Sequence, residues 1–241
     1  MGDYILSDET RARLKRVSTA SVATALYKRG LRNQFVQGVV PVAPKDEVMV
    51  GQAFTLRYIP AREDRNPITV FRNADHPQRT AIEACPPGWI LVMDARKDAR
   101  AASAGSILIT RLAVRGAAGV VSDGGFRDAD GIGKLDMPAY FQRPSAPTNL
   151  TLHEALDHNV PISCGDAPVF PGDVMLGDKD GVMVIPAHLA DEIAEECTAM
   201  ESYEDFVLEQ VQAGAGIIGL YPATRPENLA RYDEWRKKTG R

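Results

Sequence analysis

The sequence is poor in cysteine and has no long apolar run. Cys85, Cys164 and Cys197 are an odd number at wide spacing, which excludes a disulfide framework and a CxxC metal knuckle and points to a reduced, cytoplasmic setting. No stretch approaches the ~18 apolar residues of a membrane span. The opening MGDYILSDETRARLKR carries acids early and no apolar core of signal-peptide length. Neither a membrane partner nor a secretory route is expected, so the sequon Asn149-Leu150-Thr151 carries little meaning. An excess of positive charge is also missing. Lys and Arg number 28 against 32 Asp and Glu, a net charge of −4, which offers no basic field to a phosphate backbone and argues against nucleic acid as a partner. Histidine is scarce: His76, His153, His158 and His188 are scattered, and the gap from His153 to His158 misses the i, i+4 spacing of a helical metal site. These histidines read as structural or solvent-exposed.

What is present is an ordinary globular composition over 241 residues, 44% hydrophobic and 25% charged, enough to bury roughly three quarters of the unfolded surface. Without a repeat, a low-complexity tract or a composition break, one domain over 1–241 is expected, with a core at about 15–200 and a C-terminal helical arm at about 190–241. Leu14, Val17, Val22, Ala25 and Leu26 recur at helical spacing over 8–30. The Ser18-Thr19-Ala20-Ser21 cluster splits that span into two helices, and Gly30 ends the second. Short β-rich runs bounded by Pro and Gly follow at 54–59, 90–93, 120–122, 161–164, 174–176 and 182–185. Helical patterns lie between them at 68–84 and 106–116. The succession 90–93, 106–116, 120–122 has the spacing of a βαβ crossover with parallel strands side by side, so the fold class is α/β. A last helix runs from Ala190 to about Val211 with Ile193, Cys197 and Met200 on one stripe, and 222–241 form an arm carrying Tyr232, Trp235 and a basic tail.

The densest candidate site joins two of these features. Gly105 and Ser106 precede the 106–116 helix, so the free amides of Ser106, Ile107 and Leu108 form a helix N-terminus suited to an anion such as a carboxylate. Ser122-Asp123-Gly124-Gly125 makes a tight turn at the carboxyl end of the sheet, which carries Arg127 and Asp128 to the rim where α/β ligands bind. A single Asp there is a credible Mg²⁺ ligand, because Mg²⁺ keeps most of its positions for water and substrate. The bland readings are a surface ion pair for Arg127-Asp128 and a simple helix cap for Gly105-Ser106. Other candidates are weaker. Gly131-Ile132-Gly133-Lys134 lacks the length of a phosphate loop, and Cys85 and Cys164 read as apolar fillers. Asp94, Arg96 and Asp98 at a strand end read as solvated, with the cleft as the alternative. Arg72 with Asp75-His76 is a minor candidate for a distal carboxylate.

The string from Arg100 to Asp128, with G-S-I-L, A-x-x-G-x-x-G-V-V and D-G-G-F-R-D, resembles the metal-dependent pyruvate aldolases of 4-hydroxy-4-methyl-2-oxoglutarate and 4-carboxy-4-hydroxy-2-oxoadipate, a family that also contains the regulator of ribonuclease activity A. The likeness extends to Val50-Gly51-Gln52-Ala53-Phe54-Thr55, to Pro87-Gly88-Trp89, to Pro171-Gly172-Asp173 and to Asp178-Lys179-Asp180-Gly181-Val182, covering roughly 15–200. The resemblance implies a swivelling β/β/α fold, a homotrimer or dimer of trimers, and a cleft between subunits. It implies a 2-oxo acid substrate, with Asp128 as the direct ligand of Mg²⁺ or Mn²⁺, Arg127 facing the 2-oxo group, and the Gly105 turn with the amides of Ser106, Ile107 and Leu108 taking the substrate carboxylate. It further implies class II retro-aldol cleavage with accompanying oxaloacetate decarboxylation, the alternatives being a non-catalytic ribonuclease regulator or a lyase acting on a sugar-derived 2-oxo acid. Two departures stand out. Ser106 occupies a place that is acidic in several aldolases of the family, and Thr24 stands where many relatives have Asp.

Overall fold

The computed structural model describes residues 4–240, so Met1 to Asp3 of the opening segment and Arg241 of the basic tail lie outside the described residues. Two helices open the chain, α1 (Asp8–Leu14) and α2 (Thr19–Lys28), followed by β1 (Val40–Pro41), β2 (Met49–Pro60), α3 (Pro77–Ala84), β3 (Trp89–Asp94) and β4 (Ala102–Ala104). Next come α4 (Ser106–Val114), β5 (Gly119–Ser122), β6 (Gly125–Phe126), α5 (Ala129–Gly133), β7 (Ala139–Phe141) and β8 (Arg143–Pro144). The chain closes with β9 (His153–His158), β10 (Ile162–Cys164), β11 (Ala167–Val169), β12 (Val174–Gly177), β13 (Val182–Ile185), α6 (Ala190–Gln212) and α7 (Pro226–Thr239).

The main sheet has the order β1-β7-β5-β3-β2-β12-β13, with β9 also paired to β2. Strand β2 is long because it serves three neighbours. Its 52–57 stretch pairs parallel with β3, while its other edge takes β12 over 49–52 and β9 over 56–60, both antiparallel. As expected, β3 and β5 lie side by side and parallel with α4 as the crossover. The run Ile90-Leu91-Val92-Met93 has no solvent exposure and shows why a parallel strand is apolar without alternation: both faces are covered. Leu91 and Met93 meet Ile82 of α3 and Ile109 and Leu112 of α4 on one face. Ile90 and Val92 meet Ile162, Cys164 and Val169 of the β10–β11 hairpin on the other. Burying each such side chain stabilises the fold by about 1.5–3 kcal/mol.

The N-terminal helices split where expected. Ser18 caps α2 by accepting the Ser21 amide, and Gly30 follows the helix at φ +80°. Their apolar residues Leu14, Val22 and Leu26 pack with Ile193 and Cys197 of α6. Beyond this cluster the second half of α6 carries α7, where Tyr232 and Trp235 close on Phe206. The arm therefore packs on its own chain.

One helical expectation is corrected. The 68–84 span is not one helix but a 3-10 turn, Ile68–Arg72, and then α3. Pro77 is the cause: it pushes the preceding His76 out of the helical region, to ψ 122°, and its ring is pre-set for the first helical position. Several short elements were not expected, among them β1, β7, β11, α5, the strand β9 and a separate three-stranded sheet β4-β6-β8. That small sheet matters most, because β4 leads into Gly105 and β6 into Arg127.

Candidate active site

Strands β4 and β6 run parallel, Ala102 opposite Gly125 and Ala104 opposite Phe126, so the residues that follow each strand leave the sheet together. The Arg127 amide donates to the Ala104 carbonyl at 3.1 Å and locks that register. A buried polar layer holds β4 from below. Ser103 Oγ shares a hydrogen bond with Ser122 Oγ at 2.7 Å and donates to the Gly125 carbonyl, while Tyr58 OH and Gln78 Nε2 both donate to the Ser103 carbonyl.

Above this layer the Gly105 turn meets the Arg127-Asp128 pair. The Ser106 amide and hydroxyl donate to Asp128 Oδ2 at 3.3 and 3.2 Å, and Arg127 Nε lies 3.5 Å from the same oxygen. The Ser106 amide, the nearby Ser106 hydroxyl and the Arg127 guanidinium hold the Asp128 carboxyl below the usual carboxylate range, so it is ionised at neutral pH. Asp128 sits at φ +58°, a left-handed conformation that Asp tolerates better than most residues. A side chain at Gly105 would not fit: a Cβ there would stand 2.8 Å from Arg127 Cγ and 3.1 Å from Asp128 Oδ2. Glycine is required because the turn and the ion pair touch.

The sequence-predicted set is thus brought together, with one difference. The first amide of α4, that of Ser106, is taken by Asp128 and is not free for a ligand. The amides of Ile107 and Leu108 remain the ones that helix geometry leaves without an intrahelical acceptor. Gly105, Ile107, Leu108, Arg127 and Asp128 border a cleft of about 510 Å³, lined also by Ile68, Phe71, Gln78, Arg79, Thr148 and Asn149, with Ser106 behind Asp128 and outside the lining. Asp128 is the one carboxylate in that lining, and no histidine is part of it. Ile68 and Ile107 on its rim are 66% and 81% exposed.

Several expectations change here. Arg72 and Asp75 are exposed and do not line the cleft; from this segment Arg79, in the first turn of α3, does. Nothing in residue type separated the two, though a cation in the first turn of a helix, unmatched by any acid there, runs against the helix dipole and is a signal of sorts. Asp123, in the turn that leads to Arg127 and Asp128, is an interior residue. It has no solvent exposure and accepts the amides of Ala95 and Gly165 at 2.6 and 3.0 Å, and burial pushes its carboxyl up to about 6. Asp94 accepts the Arg96 and Ser163 amides, while Asp98 pairs with Arg100, so this loop is tied down away from the cleft. His153 is fully buried between Arg96 and the Asp98 carbonyl, and burial lowers its pKa. Gly131 to Lys134 fall in and after the one-turn α5 and form no phosphate loop.

The other family-like motifs are structural. A Cβ at Gly51 would stand 2.7 Å from the Gly88 carbonyl. Gln52 accepts the Leu6 amide and donates to the Tyr4 and Gly172 carbonyls, which fastens the N-terminus to the sheet. Asp178 accepts the Thr19 amide and hydroxyl at the start of α2.

Among the described residues no group of three or more His, Cys, Asp and Glu side chains is placed to hold a metal ion, and no helix is long and apolar enough to cross a membrane. The donor set nevertheless fits a hard divalent cation that retains water. Both hydrogen bonds that Asp128 accepts from Ser106 fall on Oδ2, so this ionised, half-exposed carboxylate retains acceptor capacity for a cation.

Comparisons with known proteins bear on family and fold. The chain is 37% identical over 106 residues, 44% of its length, to a protein of Halalkalibacterium halodurans named "Putative 4-hydroxy-4-methyl-2-oxoglutarate aldolase"; the match spans half the length of that relative. Among solved structures, Streptomyces coelicolor RraAS2, described as an unusual member of the RNase ES inhibitor RraA protein family, superposes with a TM-score of 0.73 at 27% identity, covering 83% of this chain and 96% of that one. An uncharacterized Pseudomonas syringae protein shares the fold alone, with a TM-score of 0.76 at 22% identity over 90% of this chain and 98% of its own. The family model described as RraA-like, Aldolase/RraA, matches residues 19–184, which include the whole β4-α4-β5-β6 corner, and the chain belongs to that family.

Proposed function

We propose that the protein is a divalent-metal-dependent lyase that cleaves a 4-hydroxy-2-oxo acid to pyruvate and a second carbonyl compound, and that it also decarboxylates oxaloacetate. The observation that carries this reading is the ionised Asp128, bound by Ser106 and flanked by Arg127 at the mouth of the cleft. Asp128 would hold Mg²⁺ or Mn²⁺, which when bound supplies Lewis-acid polarisation of the substrate's carboxylate and 2-oxo oxygens.

The chain's own residues do the rest. The amides of Ile107 and Leu108 at the α4 N-terminus receive the substrate carboxylate. Arg127 donates to the 2-oxo oxygen as negative charge collects there during C3–C4 cleavage, and a preorganised donor of this kind contributes about 3–4 kcal/mol to the transition state. The 4-hydroxyl must lose its proton in the same step. With no histidine and no second carboxylate in the cleft lining, that proton passes to water, and Ser106 Oγ, already fixed on Asp128, orients it. The exposed Ile68 and Ile107 mark a wall that a neighbouring subunit completes, in a homotrimer or a dimer of trimers.

The RraAS2 likeness supports a second reading, a non-catalytic regulator of a ribonuclease. The ionised Asp128 beside Arg127 favours the catalyst, since a purely protein-binding surface has no use for a half-exposed carboxylate poised for a cation. The test is a panel of 4-hydroxy-2-oxo acids and oxaloacetate with Mg²⁺ or Mn²⁺, following pyruvate with a coupled dehydrogenase. Turnover that stops on chelation supports the lyase. Absence of turnover together with capture of a ribonuclease supports the regulator.

A further inference from the structure

Arg79 stands in the wall of the cleft without a counter-ion. Its guanidinium lies over the Phe71 ring, 4.9 Å from the centroid, and its Nε is buried with no hydrogen-bond partner. It forms no ion pair among the described residues, whereas Arg127, the other arginine of the cleft lining, lies beside Asp128. Its place on the helix adds to the imbalance. Arg79 is in the first turn of α3, where the dipole already favours negative charge, and that turn holds no acid. Glu154, whose charge is felt at the neighbouring His76, is engaged by Asn66 at 3.0 Å and Arg65 at 4.0 Å. Neighbouring His76 is held below its ordinary pKa by burial and by Arg79, so it stays neutral and contributes no competing charge.

Arg79 is only half-buried, but its buried Nε without a partner carries a cost that a ligand reaching the guanidinium from the cleft would offset. The position of Arg79 is also fixed. Gln78, the residue before it, is buried and donates to the Ser103 carbonyl at 2.7 Å, two residues before the Gly105 turn. The α3 N-terminus and the Gly105–Asp128 corner are therefore parts of one rigid wall.

We infer that Arg79, seated on Phe71, is the specificity-determining residue of the cleft and receives an anionic group at the end of the substrate remote from the 2-oxo acid. A carboxylate suits it best, because the planar guanidinium can offer two parallel N–H donors while its face stays on the ring. This rests on the lyase reading for the near end of the substrate, and selectivity is its signature: Arg79 separates substrates by their far end.

The test compares 4-hydroxy-2-oxoglutarate with 4-hydroxy-2-oxohexanoate, whose far end is neutral, in the wild type, Arg79→Gln, Arg79→Lys and Phe71→Leu. The ratio of kcat/KM for the dianion over the neutral-ended substrate should fall roughly 10- to 100-fold in Arg79→Gln, as expected for losing hydrogen bonds to a charged group, with smaller falls in Arg79→Lys and Phe71→Leu. A second readout needs no turnover. Thermal-shift titration should show the wild type binding 2-oxoglutarate more tightly than 2-oxobutanoate, and Arg79→Gln should erase the difference. If pyruvate release fails for every substrate while this binding preference holds, the lyase reading falls and the assignment of Arg79 stands. Equal losses on both substrates, or a wild type that binds the two 2-oxo acids alike, would overturn the assignment.

Discussion

Asp123 and Asp128 are five residues apart, each at the end of a short strand, and they do opposite things. Asp123 follows β5 and is sealed from solvent; it accepts the Ala95 and Gly165 amides, and its carboxyl is pushed up to about 6 by burial. Asp128 follows β6 and is half-exposed in the cleft, where the Ser106 amide and the nearby Arg127 hold its carboxyl down. One aspartate ties three loops into a frame. The other keeps an available negative charge at the place the frame defines. The contrast shows that in a D-G-G-F-R-D string the chemistry cannot be assigned from residue type. It follows from which strand end is covered by the β10–β11 hairpin and which is left open beside α4.

The comparison can be broken most severely at Asp128. Asp128→Asn preserves the left-handed conformation that Asn also tolerates, so folding should be intact while kcat/KM for pyruvate release falls by about 10³-fold or more; a coupled dehydrogenase assay beside a melting curve checks both halves. Arg127→Ala should follow at roughly 10²- to 10³-fold in kcat/KM, with cation binding still measurable by titration. Asp123→Ala should show the reverse pattern. Leaving the Ala95 and Gly165 amides buried without an acceptor costs about 2–4 kcal/mol, or roughly 5–15 °C in Tm, and turnover measured well below the new Tm should survive.

The smallest effect lies in pH. The native carboxyl of Asp123 titrates near 6 against 3.8 for the ordinary group, so between those values the folded chain holds the extra proton. Stability tied to Asp123 therefore rises as pH falls from about 6 towards 4 and is lost as pH rises through the native value. Asp128 acts in the opposite sense, since its lowered pKa supplies stability above the ordinary carboxylate value and loses it in stronger acid. Urea midpoints of the wild type and Asp123→Asn from pH 4 to 7 should differ by a slope confined to the Asp123 window. Parallel curves would show that burial does not perturb this group.

Much of this architecture is legible in the sequence because it rests on local signals. The apolar run at 90–93, the α4 pattern ended by Gly116 and the Ser18 cap are decided by neighbours within a few residues. What is not legible depends on partners far away. His153–His158 reads H-E-A-L-D-H, with no β-branched residue and with Glu154 and Asp157 on either side of a two-residue apolar middle, and becomes a strand because the far half of β2 offers an open edge. The β4-β6-β8 sheet is built from pieces of two or three residues, below any periodicity. The same limit applies to the site. Gly105, Ser106, Arg127 and Asp128 announce themselves through a helix start and a turn. Arg79 and Asn149 reach the cleft only through the packing of α3 and of the turn before β9.

The decisive measurement is Mn²⁺ binding followed by electron paramagnetic resonance, with and without pyruvate. One Mn²⁺ per chain, bound more tightly when pyruvate is present and absent in Asp128→Asn, is the predicted result. Equal Mn²⁺ binding by the wild type and Asp128→Asn, or no response to pyruvate, would contradict the claim that this carboxylate anchors the cation and the 2-oxo acid together.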